Sequence, residues 1–118
     1  MLKLYPCMVT KGTKLYNQYK KNKFKPLTTK QATKIIAEFK KTIPEYVRIM
    51  RVQRDIPTYQ TEAGVDRTNL RQYIDQYMKK KRWKCRCIRC REVGRARKIG
   101  KPKIKTLAYK ASDGICLL

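Results

Sequence analysis

The stretch TTKQATKIIAEFKKTIPEYVRIMRV, residues 28–52, carries two different periodicities, and the fold is read from their succession. Thr28 and Gln31 stand three apart, the spacing at which a hydroxyl and an amide each satisfy an orphan backbone donor at a helix start. Ala32, Ile35, Ile36, Phe39 and Ile43 then recur every three or four residues, which marks an amphipathic helix closed by Pro44. Beyond the proline, Tyr46 to Val52 (YVRIMRV) is β-branched and aromatic enough to be a strand.

Upstream, Leu2 to Thr10 (LKLYPCMVT) reads as one short strand, buried or near an edge because Pro6 cannot donate to a ladder. Gly12 and Thr13 interrupt it, and Leu15, Tyr16 and Tyr19 sit at helical spacing before the basic loop KKNKFKPL. The order strand, helix, helix, strand is that of a parallel α/β unit with a crossover, so the fold class is α/β. Downstream, DIPTYQTEAG reads as a long loop, and such loops at the carboxyl ends of parallel strands are where these folds keep ligands. A second amphipathic helix is predicted from about Asp66 to Arg82, with Leu70, Tyr73, Ile74, Tyr77 and Met78 on one face. Its final KKKR suits the negative end of the helix dipole. After a cysteine cluster and the basic linker GRARKIGKPK, Lys103–Tyr109 and Ile115–Leu118 read as two short strands around the turn Ser112-Asp113-Gly114. The last residues are apolar, an odd end for a whole domain, so a fragment or split product is expected.

The charge narrows the partner. Thirty-one Lys and Arg face eight Asp and Glu, a net +23 on 118 residues. Self-repulsion on that scale is offset by a polyanion, and nucleic acid is the densest one available. A lysine-rich proteome would inflate surface Lys without any ligand, and that reading stays beside the first. No apolar run approaches the roughly 20 residues needed to span a bilayer, and the N-terminus lacks a secretory pattern. A cytoplasmic protein with reduced thiols is therefore expected, and five cysteines, an odd number, also argue against a disulfide framework.

Three of those cysteines lie in CRCIRCREVG, residues 85–94. Cys85 and Cys87 project from one side of extended backbone, and Cys87 and Cys90 have the C-x-x-C spacing that lets two thiolates reach one tetrahedral ion. A zinc site on Cys85, Cys87 and Cys90 is the reading favoured over a redox pair, an iron–sulfur cluster or plain reduced thiols. Arg86, Arg89 and Arg91 are placed to balance the net negative charge of three thiolates on a divalent ion, and to favour the ligating form. The fourth ligand is open: Cys7, Cys116, an acidic side chain such as Asp75 or Glu92, water, or another chain. Cys7 and Cys116 each sit in an apolar run, where a small buried hydrophobe is expected. No catalytic constellation is visible. The chain has no His, its five glycines are scattered, and Asp55 reads as a structural ion-pair partner.

The motifs LKLYPCMVTKGTKLYNQYKKNKFKPLTT, VRIMRVQRDIP, AGVDRTNLRQ and CRCIRCREVG, in that order, resemble the Elongator catalytic subunit family, radical S-adenosylmethionine enzymes that carboxymethylate uridine 34 of tRNA. The final YKASDGICLL resembles the start of that family's acetyltransferase domain. The resemblance implies that residues 1–64 form the last part of a radical-SAM barrel. Residues 65–100 would be its C-terminal extension with a zinc-bearing linker, and residues 101–118 the first strands of an acetyltransferase-like domain. It also implies 4Fe-4S, S-adenosylmethionine and acetyl-CoA in the full-length enzymes, and the anticodon stem-loop of tRNA, rather than DNA, as partner. This chain lacks the C-x-x-x-C-x-x-C cluster motif, so the catalytic portions are expected elsewhere, on another chain for instance. The alternative is an autonomous small basic zinc protein that binds RNA or ribosomes without catalysis. Candidate RNA-binding residues form two groups: Arg48, Arg51 and Arg54 at the end of the predicted strand, and the strip Lys79, Lys80, Lys81, Arg82, Lys84, Arg86, Arg89 and Arg91. Trp83 and Tyr59 are candidates for stacking on bases, with core packing the competing role for Trp83.

Overall fold

A computed structural model describes residues 1–95, 100, 101, 103–112 and 114–117. Strand β1 (Leu2–Lys3) pairs parallel with β3 (Ile49–Arg51) in the register Leu2 opposite Ile49 and Lys3 opposite Arg51. Between them the chain passes through β2 (Val9–Thr10), α1 (Lys14–Lys20) and α2 (Thr29–Thr42), the crossover a parallel pair needs. The α/β class is as the sequence reads it. The single strand expected over Leu2–Thr10 is instead two short ones around Pro6. β1 joins β3, while β2 turns away to pair antiparallel with β4 (Thr61–Ala63) inside the segment read as a loop. Gly64, directly after β4, permits the close approach of the two segments: its φ is +121°, and a Cβ there would lie 3.1 Å from the Cys7 carbonyl oxygen.

Helix α2 begins where its cap predicts. Thr28 N–H donates to Gln31 Oε1 at 2.9 Å, and Gln31 N–H donates to the Thr28 hydroxyl at 3.3 Å. Its buried stripe, however, is Ala32, Thr33, Ile36, Ala37 and Lys40, whereas Ile35 and Phe39 are exposed. Helix α3 (Leu70–Lys80) is shorter than its apolar period suggests. Asp66 is held by the Thr29 hydroxyl, and Leu70 N–H donates to the Gln53 side-chain oxygen at 3.2 Å, so the helix starts only after both ties. It ends in a Schellman turn: Trp83 N–H reaches Met78 O at 2.8 Å and Arg82 N–H reaches Lys79 O at 3.0 Å. Arg82 takes the left-handed position at φ 57°, where glycine is usual.

Both helices pack on the inner residues of β3. Ile36, Ala37 and Ile43 from α2 and its C-terminal flank meet Leu70, Ile74 and Met78 from α3 over Ile49 and Val52, with Val65 and Cys87 closing the cluster. The last strands are β5 (Ala108–Ala111) and β6 (Gly114–Leu117), an antiparallel hairpin with Tyr109 opposite Cys116. β5 starts later than read from the sequence and β6 begins one residue earlier; Asp113 and Leu118 lie outside the described residues, as do positions 96–99 and 102 of the basic linker. Tyr109 stacks on Tyr46, with ring centroids 3.9 Å apart, while Ile115 and Leu117 remain largely exposed. No described helix is long and apolar enough to cross a membrane.

Candidate metal and nucleic-acid site

The Schellman turn at Arg82 sends the chain back across the end of α2. Trp83 packs edge-on against Tyr77, centroids 6.0 Å apart, and Lys41 Nζ lies 5.0 Å above its ring. Trp83 is thus a packing residue that covers the core, as one of its two readings held. The chain then delivers Cys85, Cys87 and Cys90, whose sulfurs all lie within 4.8 Å of one another. A 3-10 turn over Ile88–Arg91 brings the last sulfur round, with Cys90 N–H donating to Cys87 O at 3.0 Å. Ile88 N–H donates to Val47 O at 3.0 Å and fastens the knuckle beside β3.

The three cysteines differ in surroundings. Cys87 is fully buried and belongs to the hydrophobic core; Cys85 and Cys90 are half-buried at its rim. All five cysteines are free thiols. A hydrogen bond from Cys85 holds the Cys90 thiol down to about 5, against the effect of burial and assisted by the nearby Lys40 charge. The same bond, together with burial, pushes the Cys85 thiol well above its ordinary range. One sulfur is therefore ready as a thiolate, and a divalent ion bound by all three sulfurs would displace the protons of the other two. Tetrahedral zinc with bonds of about 2.3 Å sets its sulfurs about 3.8 Å apart. The observed spread needs only a small contraction to meet that, so the donor set fits a soft divalent ion.

Cys7 is exposed, not the small buried hydrophobe expected, and the half-buried Cys116 sits on the hairpin. Neither belongs to the group of sulfurs found among the described residues. Glu92, a candidate ligand by sequence, is engaged by Arg48 and lies 4.0 Å from Arg89. Asp75 accepts from Lys40 at 2.7 Å. Lys40 is a component that sequence reasoning missed. Its signal was available: it falls on the stripe of Ala32, Ile36 and Ile43, where a lysine is out of place.

The candidate cations separate by their partners. Arg91 donates through Nε to Arg86 O and through Nη2 to Glu45 O, both at 2.7 Å. Arg86 lies 3.9 Å from the Glu45 carboxylate, Arg51 pairs with Asp55 at 2.7 Å, and Arg54 sits 5.4 Å over the ring of Tyr5. Asp55 is thus an ion-pair partner, to Arg51. Lys79, Lys80, Lys81, Arg82 and Lys84 are exposed and have no carboxylate partner among the described residues. They form a continuous cationic edge from the end of α3 to the first cysteine, and Lys79, Arg82 and Lys84 border the cavity above Cys85 and Cys90. Among the described residues, the larger cavity between α2 and α3 is lined by one carboxylate, Asp66, already tied to Thr29.

A family model described as the Radical_SAM C-terminal domain matches residues 1–80. The chain belongs to that family. A tRNA uridine(34) acetyltransferase of Methanocaldococcus infernus is 47% identical over 94 residues, which is 80% of this chain and 18% of that protein. Elongator complex protein 3 of Schizosaccharomyces pombe is 42% identical over 93 residues, 79% of this chain and 17% of that protein. Among solved structures, the archaeal Methanocaldococcus infernus Elp3 with its N-terminus deleted superposes with a TM-score of 0.89 at 40% identity, covering 98% of this chain and 29% of that one. The chain thus spans less than a fifth of the length of these two curated relatives. The resemblance read from its motifs holds.

Proposed function

We propose that this chain is the tRNA-facing, zinc-bearing segment of an enzyme that modifies uridine 34, by carboxymethylation at C5 in the cytoplasm. The observation that carries the reading is the 47% identity to a tRNA uridine(34) acetyltransferase across 80% of the chain. Residues 1–64 are assigned to the end of a radical-SAM barrel, residues 65–100 to its extension and zinc linker, and residues 101–118 to the start of an acetyltransferase-like domain. The 4Fe-4S cluster, S-adenosylmethionine and acetyl-CoA do not fit the residues of this chain, which offers no C-x-x-x-C-x-x-C run and no glycine-rich phosphate loop. No step of the chemistry is assigned to it, and those portions belong to the rest of the enzyme or to another chain.

What its residues do is bind and orient. Lys79, Lys80, Lys81, Arg82 and Lys84 neutralise phosphates of the anticodon stem-loop, which positions RNA without reading its sequence. Cys85, Cys87 and Cys90 would hold zinc, which supplies a rigid cross-link and a fixed charge, and so keep that edge in one shape. Arg48, through Glu92, and Arg91, through the Glu45 carbonyl, hold the knuckle to the body of the fold. Arg51 and Arg54 stand at the end of β3, beside the loop that leads to β4.

The test measures binding of an anticodon stem-loop over a salt series, with zinc content determined on the same sample. About one zinc per chain and steep salt dependence are expected, with chelation weakening binding. Zinc-free protein with undiminished affinity would overturn the metal assignment. Equal affinity for an unstructured RNA of the same length would instead favour a small basic zinc protein without a role in modification, because an edge held in one shape is matched to the stem-loop's backbone and not to its sequence.

A further inference from the structure

The counter-charge for three thiolates was expected from Arg86, Arg89 and Arg91, their neighbours in sequence. In the fold those guanidinium groups are turned to Glu45, Glu92 and backbone carbonyls. A different cation lines the cavity that Cys85 and Cys90 border. Lys40, in the last turn of α2, has a side chain that is 0% exposed, while its partner Asp75 on α3 keeps 43% of its side-chain surface. Among the described residues, the 2.7 Å bond to Asp75 is the one hydrogen bond that Lys40 Nζ makes. An ammonium carries three N–H donors. Two are thus left without a protein oxygen, in a cavity that Lys40 and Asp75 share with Cys85 and Cys90.

Burying an ammonium is strongly unfavourable unless its charge and donors are matched. One partly hydrated carboxylate matches neither fully. Three thiolates on a divalent ion would complete both: the group carries one net negative charge, and its sulfurs keep lone pairs that accept hydrogen bonds. We propose that Lys40 is a positioning residue of the metal centre, oriented by Asp75 and donating to the sulfurs of Cys90 and Cys85 when the ion is held. The inference rests on the zinc reading above and adds to it how α2 takes part. The ion then couples three parts of the chain that share no covalent neighbour: the end of α2, the middle of α3 and the cysteine knuckle. Asp75 acts through Lys40 and is not itself a ligand.

The experiment uses the full chain as wild type, Lys40→Met, Lys40→Arg and Asp75→Asn. Cobalt(II) is the spectroscopic probe, and zinc affinity is measured by competition with a chromophoric chelator. Lys40→Met is expected to weaken zinc binding by about 10- to 100-fold, the usual loss when a ligand's hydrogen-bond partner is removed. It should also shift the sulfur-to-cobalt charge-transfer band, because an unprotected thiolate is a stronger donor, while the tetrahedral visible bands persist. Lys40→Arg should recover most of the affinity. The metal-free Lys40→Met chain should melt no lower than the metal-free wild type, since it no longer buries an unmatched ammonium. Unchanged affinity and an unchanged charge-transfer band in Lys40→Met would overturn the proposal. So would an affinity loss accompanied by an equal loss of metal-free stability, which is what a merely structural ion pair would give. Loss of the tetrahedral bands in Asp75→Asn would show the carboxylate to be a ligand, and also overturn it. Wild type that takes up neither metal removes the zinc reading itself, and this inference with it.

Discussion

Replacing Lys79, Lys80 and Lys81 together by Gln separates the cations proposed to face RNA from those that hold the fold. Five cations of the strip lack a carboxylate partner among the described residues: these three, Arg82 and Lys84. Each phosphate contact contributes about −0.7 to −0.9 to the slope of log affinity against log salt. Five contacts give about −3.5 to −4.5, so binding falls about 130- to 500-fold between 50 and 200 mM salt. The triple variant keeps two contacts, a slope of about −1.4 to −1.8 and a loss of only about 7- to 12-fold over the same range. Its stability should change by about 0.5 kcal/mol or less per site, because the three side chains are exposed. Arg91→Met is the control. It removes two bonds to backbone carbonyls and should cost about 1–3 kcal/mol, with the slope unchanged. The assay is fluorescence anisotropy of a labelled anticodon stem-loop at five salt concentrations, with a urea melt of each protein. A flat slope in wild type, or a slope altered by Arg91→Met and not by the triple variant, would refute this division.

Ile74→Ala removes a fully buried side chain from the centre of the α2–α3 contact and should lower unfolding free energy by about 2–5 kcal/mol in denaturant titration. Arg82→Gly relieves a left-handed residue in the Schellman turn: stability should rise by about 1 kcal/mol while tRNA affinity falls, and a fall in both would contradict the strain argument. Gly64→Ala meets the Cys7 carbonyl at 3.1 Å with φ at +121°, so a loss of about 1–3 kcal/mol is expected from thermal melts. The metal-free chain should gain stability as pH rises from about 5 towards the ordinary thiol range. A thiol whose folded value is depressed stabilises above its unfolded value, and that contribution disappears as pH falls through the folded one. Correspondingly, iodoacetamide should label Cys90 before Cys85 at pH 6, read by peptide mass spectrometry, and the reverse order would refute the assignment of the shared proton.

Much of the fold is legible because it is local. The Thr28–Gln31 cap, the stop at Pro44 and the C-x-C-x-x-C spacing involve residues within one or two turns of each other. Their geometry follows from backbone rules alone. The same locality explains the errors. A nine-residue apolar run looked like one strand, since nothing in its pattern says that Leu2 meets Ile49 while Val9 meets Ala63. The helical period of α2 pointed to Ile35 and Phe39, both exposed, because a period fixes spacing and not the azimuth that a neighbour will cover.

By itself, then, the sequence determined the α/β order of elements, the family, the surplus of positive charge and the trio of thiols, all of them properties of composition or of near-neighbour spacing. Only the tertiary structure decided which charges are spent. It turned Arg86, Arg89 and Arg91 towards acids and carbonyls, left Lys79 to Lys84 open, and drew Lys40 under Asp75, 35 residues away in the chain. Electrostatic pairing acts through space at a few ångströms, and that distance between residues far apart in sequence is set by how two helices pack, which no local pattern encodes.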